Sequence, residues 1–286
     1  MKKKPILFAL ISAFLFHHSS FAQGTLTPPG APAATMKTLD QIEARTIVNA
    51  ANTPGDANNL FIISQPGSYY LTTNLFGVSN KYGIKISTNN VTLDLNGFSV
   101  VGTASANAGI YIIGGGNIVV RNGIVTGWTG GNEYGVYCGG SGRNTTIEGL
   151  TVATNYYGIY GTFHTVIRNC TVGGNLASGI LAGSWCSILA NYCDGNNTYN
   201  YSSEGGISTI GGTNRIEGNY LTANGYSGIT LNSNSSYTNN IIIKNSVVGN
   251  GANNYIITGG QISGPIVSTT AAGVITNSNP WANFSF

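Results

Sequence analysis

Gly83-Ile84, Gly109-Ile110, Gly135-Val136, Gly158-Ile159, Gly179-Ile180, Gly206-Ile207 and Gly228-Ile229 each open a short stretch of alternating apolar and polar residues. Asn254-Tyr255 is a degenerate eighth copy, and successive copies are 26, 26, 23, 21, 27, 22 and 26 residues apart. Half a repeat later a second apolar column runs Leu93, Val120, Ile147, Ile167, Leu189, Ile216 and Ile243. Its spacings are 27, 27, 20, 22, 27 and 27, so the two columns keep step through insertions. A period of this size marks a solenoid. Each repeat consists of short β-rich runs broken by Gly and Asn, which excludes helical solenoids. The repeat is about half as long as a β-propeller blade.

The pattern predicts an all-β, single-stranded right-handed parallel β-helix in which two or three short strands per coil stack on the next coil, roughly 4.8 Å away. Ile, Val and Leu fill the interior. Corners need left-handed backbone, which Gly and Asn supply at least cost. Asn155, Asn175, Asn196, Asn224 and Asn250 each precede a new first strand, where stacked amides would hydrogen-bond along the rod.

Working outward, Lys2, Lys3 and Lys4, the apolar run Ile6 to Phe16 and Ser20-Phe21-Ala22 have the layout of a cleaved secretory signal over residues 1–22. Residues 23–59 are read as a linker and N-terminal cap. Thr38-Leu39-Asp40-Gln41 resembles a capping box, with Met36, Leu39 and Ile42 on one face of a short capping helix. Residues 60–286 are the β-helix, closed at its C-terminal end by a tail carrying Trp281 and Phe284. The address is secreted, periplasmic or cell-surface, with no membrane span left after cleavage.

Composition narrows the function. The chain has 286 residues, 42% hydrophobic and 7% charged, with 41 Gly and 35 Asn. That is neither a disordered chain nor a mainly helical one. The formal charge of +3 equals the three N-terminal lysines, which leaves no basic face for nucleic acid. Cys138, Cys170, Cys186 and Cys193 contain no CxxC pair, so no structural zinc site is expected. Cys138 falls on an inward strand position.

Together, Gly67-Ser68-Tyr69-Tyr70-Leu71, Asn90-Val91-Thr92-Leu93-Asp94-Leu95-Asn96-Gly97 and the serial Gly-Ile coils resemble the pectate-lyase-like superfamily of right-handed parallel β-helices. The resemblance covers about residues 60–275 and implies a protein that binds, cleaves or epimerises polysaccharide. Activity does not follow from the fold.

Two outward columns carry the candidate chemistry. One runs Asp94, Arg121, Glu148, Arg168, Ala190, Glu217 and Lys244. Its alternating signs read chiefly as a charge ladder that fixes coil register, and secondarily as a uronate site gripped by Arg121 or Arg168. The other runs Lys85, Tyr111, Tyr137, Tyr160, Leu181, Ser208 and Thr230. Tyr111, Tyr137 and Tyr160 form an aromatic stripe on which sugar rings would stack, with Lys85 at one end and Glu133 and Glu204 at the strand edge. The alternative is an aromatic stack that only stabilises the sheet.

Enzyme signatures are thin. Asp40, Asp56, Asp94 and Asp194 are the only aspartates, and no two share an adjacent outward column, so neither a metal nor another cofactor is expected. Lys85 beside Tyr111 is a candidate base for β-elimination. His164 reads as structural. The expected function is binding or processing of polysaccharide through the Tyr-lined face; if catalytic, the enzyme is a polysaccharide lyase or glycoside hydrolase. The alternative is a non-catalytic structural or adhesion rod. Oligomeric state is not legible in the sequence.

Overall fold

The computed structural model describes residues 43–131, 133–140, 143–231, 237–268 and 277–286. The secretory signal expected over residues 1–22 and the capping helix expected over Met36 to Ile42 lie outside these residues. Among the described residues every regular element is a strand, and no helix is long and apolar enough to cross a membrane.

All the strands fall within the unit Ala44–Phe286, a right-handed parallel β-solenoid of about 8 turns. First strands form a nine-stranded parallel sheet that includes Asn59–Ile63, Tyr82–Ile86, Ala108–Ile112, Tyr134–Cys138, Tyr157–Phe163 and Ile180–Ser184. Its register runs Ile84, Ile110, Val136, Ile159, Ile180, Ile207, Ile229, Tyr255, as the Gly-Ile spacing predicts. The first seven of these are fully buried. Two further strands per coil join in an 18-stranded network, because Gly116–Thr126 and Arg143–Ala153 run through both.

The glycine before each inward residue has a steric cause. A Cβ on Gly135 would lie 2.8 Å from the Gly158 carbonyl oxygen and 2.8 Å from Asn155 Nδ2, closer than side chains tolerate. Left-handed backbone stacks at the corners. Asn90, Asn117, Asn144, His164, Trp185, Thr213 and Asn239 all have φ between 47° and 63° just before a second strand.

The second column needs a correction. Its inward residues are Leu93, Val120, Ile147, Ile167, Ile188, Ile216 and Ile242, so Leu189 and Ile243 are one position late. The outward neighbours are then Leu189 and Ile243, while Ala190 and Lys244 turn the corner with φ of 53° and 58°. Ile188-Leu189 and Ile241-Ile242-Ile243 are apolar runs, in which only pairing with the neighbouring coil decides what faces in. A third inward column runs Val100, Val125, Val152, Val172, Cys193, Leu221 and Val247, all fully buried.

The charge ladder holds in segments. Arg121 pairs with Asp94 at 3.3 Å, Arg168 with Glu148 at 2.6 Å, and Glu217 with both Arg215 at 2.6 Å and Lys244 at 3.0 Å. Arg45 also reaches Asp94 at 3.6 Å.

Buried asparagines bind the coils together. Asn175 Nδ2 donates to Asn196 Oδ1 at 2.7 Å, Asn196 Nδ2 to Asn224 Oδ1 at 3.0 Å and Asn224 Nδ2 to Asn250 Oδ1 at 2.8 Å. A second ladder runs Asn191, Asn219, Asn245, Asn283, and a third Asn214, Asn240, Gln261. Asn283 brings the C-terminal strand Asn283–Ser285 into the sheet. Trp128, Cys170 and Cys186 stand at the heads of the three ladders, each donating its backbone N–H to the first Asn. All four cysteines are buried and free. Burial pushes the Cys138 thiol up to about 12 and those of Cys170 and Cys186 up to about 11, which removes them as nucleophiles at neutral pH.

Candidate functional site

The nine-stranded sheet aligns Lys85, Tyr111, Tyr137 and Tyr160 in one outward column, paired directly from coil to coil. All four are half-buried. A parallel ladder puts equivalent side chains one coil apart, so the rings meet face to face. Tyr111 and Tyr137 stack with centroids 5.2 Å apart at 14°, and Tyr137 and Tyr160 at 5.4 Å and 8°.

Sequence reading missed the second half of this cluster. The residue before each Gly is Tyr82, Tyr134 or Tyr157 in three coils, and these rings interleave with the first set. Tyr82 stacks on Tyr111 at 4.4 Å, and Tyr134 lies 4.7 Å from Tyr137, 5.2 Å from Tyr157 and 5.4 Å from Tyr160. The signal was present as Tyr82-Gly83-Ile84, Tyr134-Gly135-Val136 and Tyr157-Gly158-Ile159, and in the second of these Tyr134 and Tyr137, three residues apart, stack on each other.

Ring faces in the middle of the stack are taken up by one another. What the cluster offers outward is ring edges and phenol oxygens. Burial raises the phenols of Tyr82, Tyr137 and Tyr160 above their ordinary value and pushes Tyr134 up to about 12. Across the physiological range these groups are neutral hydrogen-bond donors and acceptors, not phenolate bases.

One acidic group, Glu204, closes the site on its C-terminal side. The segment 197–204 folds back, held by Asn197, whose Nδ2 donates to the Tyr201 and Glu204 carbonyls at 2.8 and 3.1 Å. Tyr201 meets Tyr156, hydroxyl to hydroxyl, at 3.2 Å. Glu204 accepts hydrogen bonds from Ser178 Oγ and, at 3.4 Å, from Tyr157 OH. Burial raises its carboxyl above the usual range, and the Ser178 and Tyr157 hydrogen bonds work against that. Beyond it the face is a buried row of hydroxyls, with Ser178 Oγ 2.7 Å from Ser208 Oγ and Ser227 bonded to Thr230.

Glu133 is not aimed at the tyrosines. Its carboxylate folds against Gly130, where any side chain would collide with it, and its Oε2 is buried without a hydrogen-bond partner among the described residues. Burial raises its pKa, partly offset by the Gly130 N–H. Glu133 and Glu204 sit three coils apart, roughly 14 Å along the rod. Among the described residues no three metal-ligating side chains cluster.

No family model matches the sequence, and no curated protein matches it as a relative. Solved structures match its fold. The Dettilon tailspike protein superposes with a TM-score of 0.52 and 16% identity, over 80% of this chain and 60% of its own. The A-module of the Azotobacter vinelandii mannuronan C-5 epimerase AlgE6 superposes with a TM-score of 0.51 and 18% identity, over 77% of this chain and 72% of its own. The chain thus spans three fifths of the tailspike's length. The shared feature is the right-handed parallel β-helix, as the pectate-lyase-like resemblance implies.

Proposed function

We propose that this chain is an exported β-helix that binds polysaccharide along its tyrosine-lined first sheet without cleaving it. The observation that carries the reading is the set of six half-buried tyrosines, Tyr82, Tyr111, Tyr134, Tyr137, Tyr157 and Tyr160, held in register on one surface. The coil repeat of ~4.8 Å spaces these hydroxyls evenly, which suits a ligand whose own hydroxyls repeat. One fold neighbour is an epimerase of a polysaccharide, mannuronan. Lys85 extends the row at one end.

Cleavage finds less support. Glycoside hydrolysis places two carboxyl groups about 5–10 Å apart across the scissile bond. Glu133 is turned into its own loop and Glu204 is capped by Ser178 and Tyr157. Export rests on residues 1–22, and the division into signal, cap at 23–59 and β-helix at 60–286 is part of the same reading.

The rival is a structural or adhesion rod, favoured by one observation: the tyrosine faces satisfy each other. Electrophoretic retardation in gels cast with neutral and uronic polysaccharides separates the two. Binding predicts retardation by at least one glycan, abolished by Tyr111→Ala with Tyr137→Ala and Tyr160→Ala. Retardation by none of the panel, or equal retardation of the triple variant, refutes it. Ultraviolet-absorbing or reducing products would refute the non-cleaving part.

A further inference from the structure

A cavity apart from the tyrosine face lies among the last second-column strands, and nothing in the tyrosine-face reading uses it. It is an open groove of about 380 Å³ lined by Ile241, Ile243, Ile262, Pro265 and Trp281, with Arg215, Ser263 and Asn279 among its polar members. Register explains the arrangement. Ile241 stacks on Arg215 and Ile243 on Glu217, so the charged ladder gives way within one coil step to a pair of isoleucines. Trp281 and Ile262 form a wall and remain 49% and 55% exposed, unusual for side chains this apolar.

The polar end is cationic. Glu217 is shared: Arg215 Nε donates to it at 2.7 Å and Lys244 Nζ at 3.0 Å. Lys244 Nζ also lies 4.8 Å from the Trp281 ring centroid. Two cations on one carboxylate leave one positive charge beside an apolar chamber. The two cations hold the Glu217 carboxyl below its usual range, so the arrangement persists at neutral pH. A sugar would leave most of its hydroxyls unpaired against Ile241, Ile243, Ile262 and Pro265, at a cost for each. An apolar body with one negative end satisfies both halves of the cavity.

We infer that this cavity binds an amphiphilic carboxylate, a small aliphatic acid whose chain lies between Trp281 and the isoleucines and whose carboxylate meets Arg215. The site is separate from the tyrosine face, so loss of either leaves the other intact.

The test is calorimetric titration of the full chain with octanoate at neutral pH, with 1-octanol and glucuronate as comparison probes. Expected are one saturable octanoate site, binding of octanol at least about tenfold weaker, and glucuronate weaker still. Arg215→Gln should weaken octanoate by about tenfold, the value of one charge-assisted hydrogen bond. Ile262→Asp, at an exposed position that tolerates a polar side chain, should abolish binding with the circular dichroism spectrum unchanged. Absence of octanoate binding, octanoate binding that survives Ile262→Asp, octanol binding equal to octanoate, or glucuronate binding as tight as octanoate would each overturn the inference. Retardation by polysaccharide should be the same in Ile262→Asp as in the parent chain.

Discussion

Tyr137 is the residue at which holding the sheet together and the proposed binding of a glycan separate most cleanly. Its ring touches three others, Tyr111 at 5.2 Å, Tyr134 at 4.7 Å and Tyr160 at 5.4 Å. Aromatic pairs contribute about 0.5–1.5 kcal/mol each beyond the area they bury. Tyr137→Ala removes all three together with part of a half-buried ring, so a loss of roughly 2–4 kcal/mol is expected. Tyr137→Phe keeps every ring contact and removes only the phenol oxygen, and stability should stay within about 0.5 kcal/mol. If that oxygen bonds a glycan hydroxyl, Phe costs binding roughly 0.5–1.5 kcal/mol, about 2- to 12-fold. Urea unfolding followed by tyrosine and tryptophan fluorescence gives the stabilities. Affinity electrophoresis on a retarding glycan gives the binding. Tyr137→Phe binding like the parent, on a glycan that no longer retards Tyr137→Ala, would refute hydrogen bonding by the phenol. A cost below about 1 kcal/mol for Tyr137→Ala would refute the energetic role of the stack.

Two other perturbations test the frame around the site. Asn196→Ala leaves Asn175 N–H, one Asn175 Nδ2 hydrogen and the Val172 carbonyl without their ladder partner in a fully buried corner, and should cost roughly 3–6 kcal/mol in urea unfolding. A cost under about 1 kcal/mol would mean that water replaces the amide freely. Glu204 is a buried acid whose folded pKa lies above the ordinary 4.5, so its contribution is fully present below pH 4.5 and is lost as pH rises through the raised value. Thermal melts from pH 4 to 8 should therefore show Glu204→Gln gaining on the parent chain as pH rises; a constant difference would place Glu204 in solvent.

Legibility in the sequence followed the strictness of the local constraint. Where a Gly fixes the phase, as at Gly135-Val136 or Gly158-Ile159, the inward residue could be named without coordinates, because a Cβ at that Gly would clash with the next coil. Where an apolar run offered two phases, as at Ile188-Leu189, periodicity had nothing to choose with. Asn155, Asn175, Asn196, Asn224 and Asn250 were readable as a corner column because each stands between the end of one coil and the first strand of the next. The ladders through Asn191 and Asn214 were not, because in the coil before each the same corner is filled by Cys170 or Cys186 and the repeat is broken in the letters although not in the backbone. Tyr111, Tyr137 and Tyr160 were visible as a column, but the direction of their ring faces was not.

The sequence by itself determined that this polypeptide coils into a parallel β-solenoid and which residues line its first strand. Those are consequences of short-range sterics and of period, and both are written along the chain. Only the tertiary structure decided which phenols interleave, that their faces are spent on each other, that Glu133 turns away while Glu204 is capped, and that Arg215 and Trp281 line one apolar cavity with Lys244 over the Trp281 ring. These depend on side chains one coil apart, some 20 to 40 residues distant in sequence, whose relative rotation is set when the coils dock.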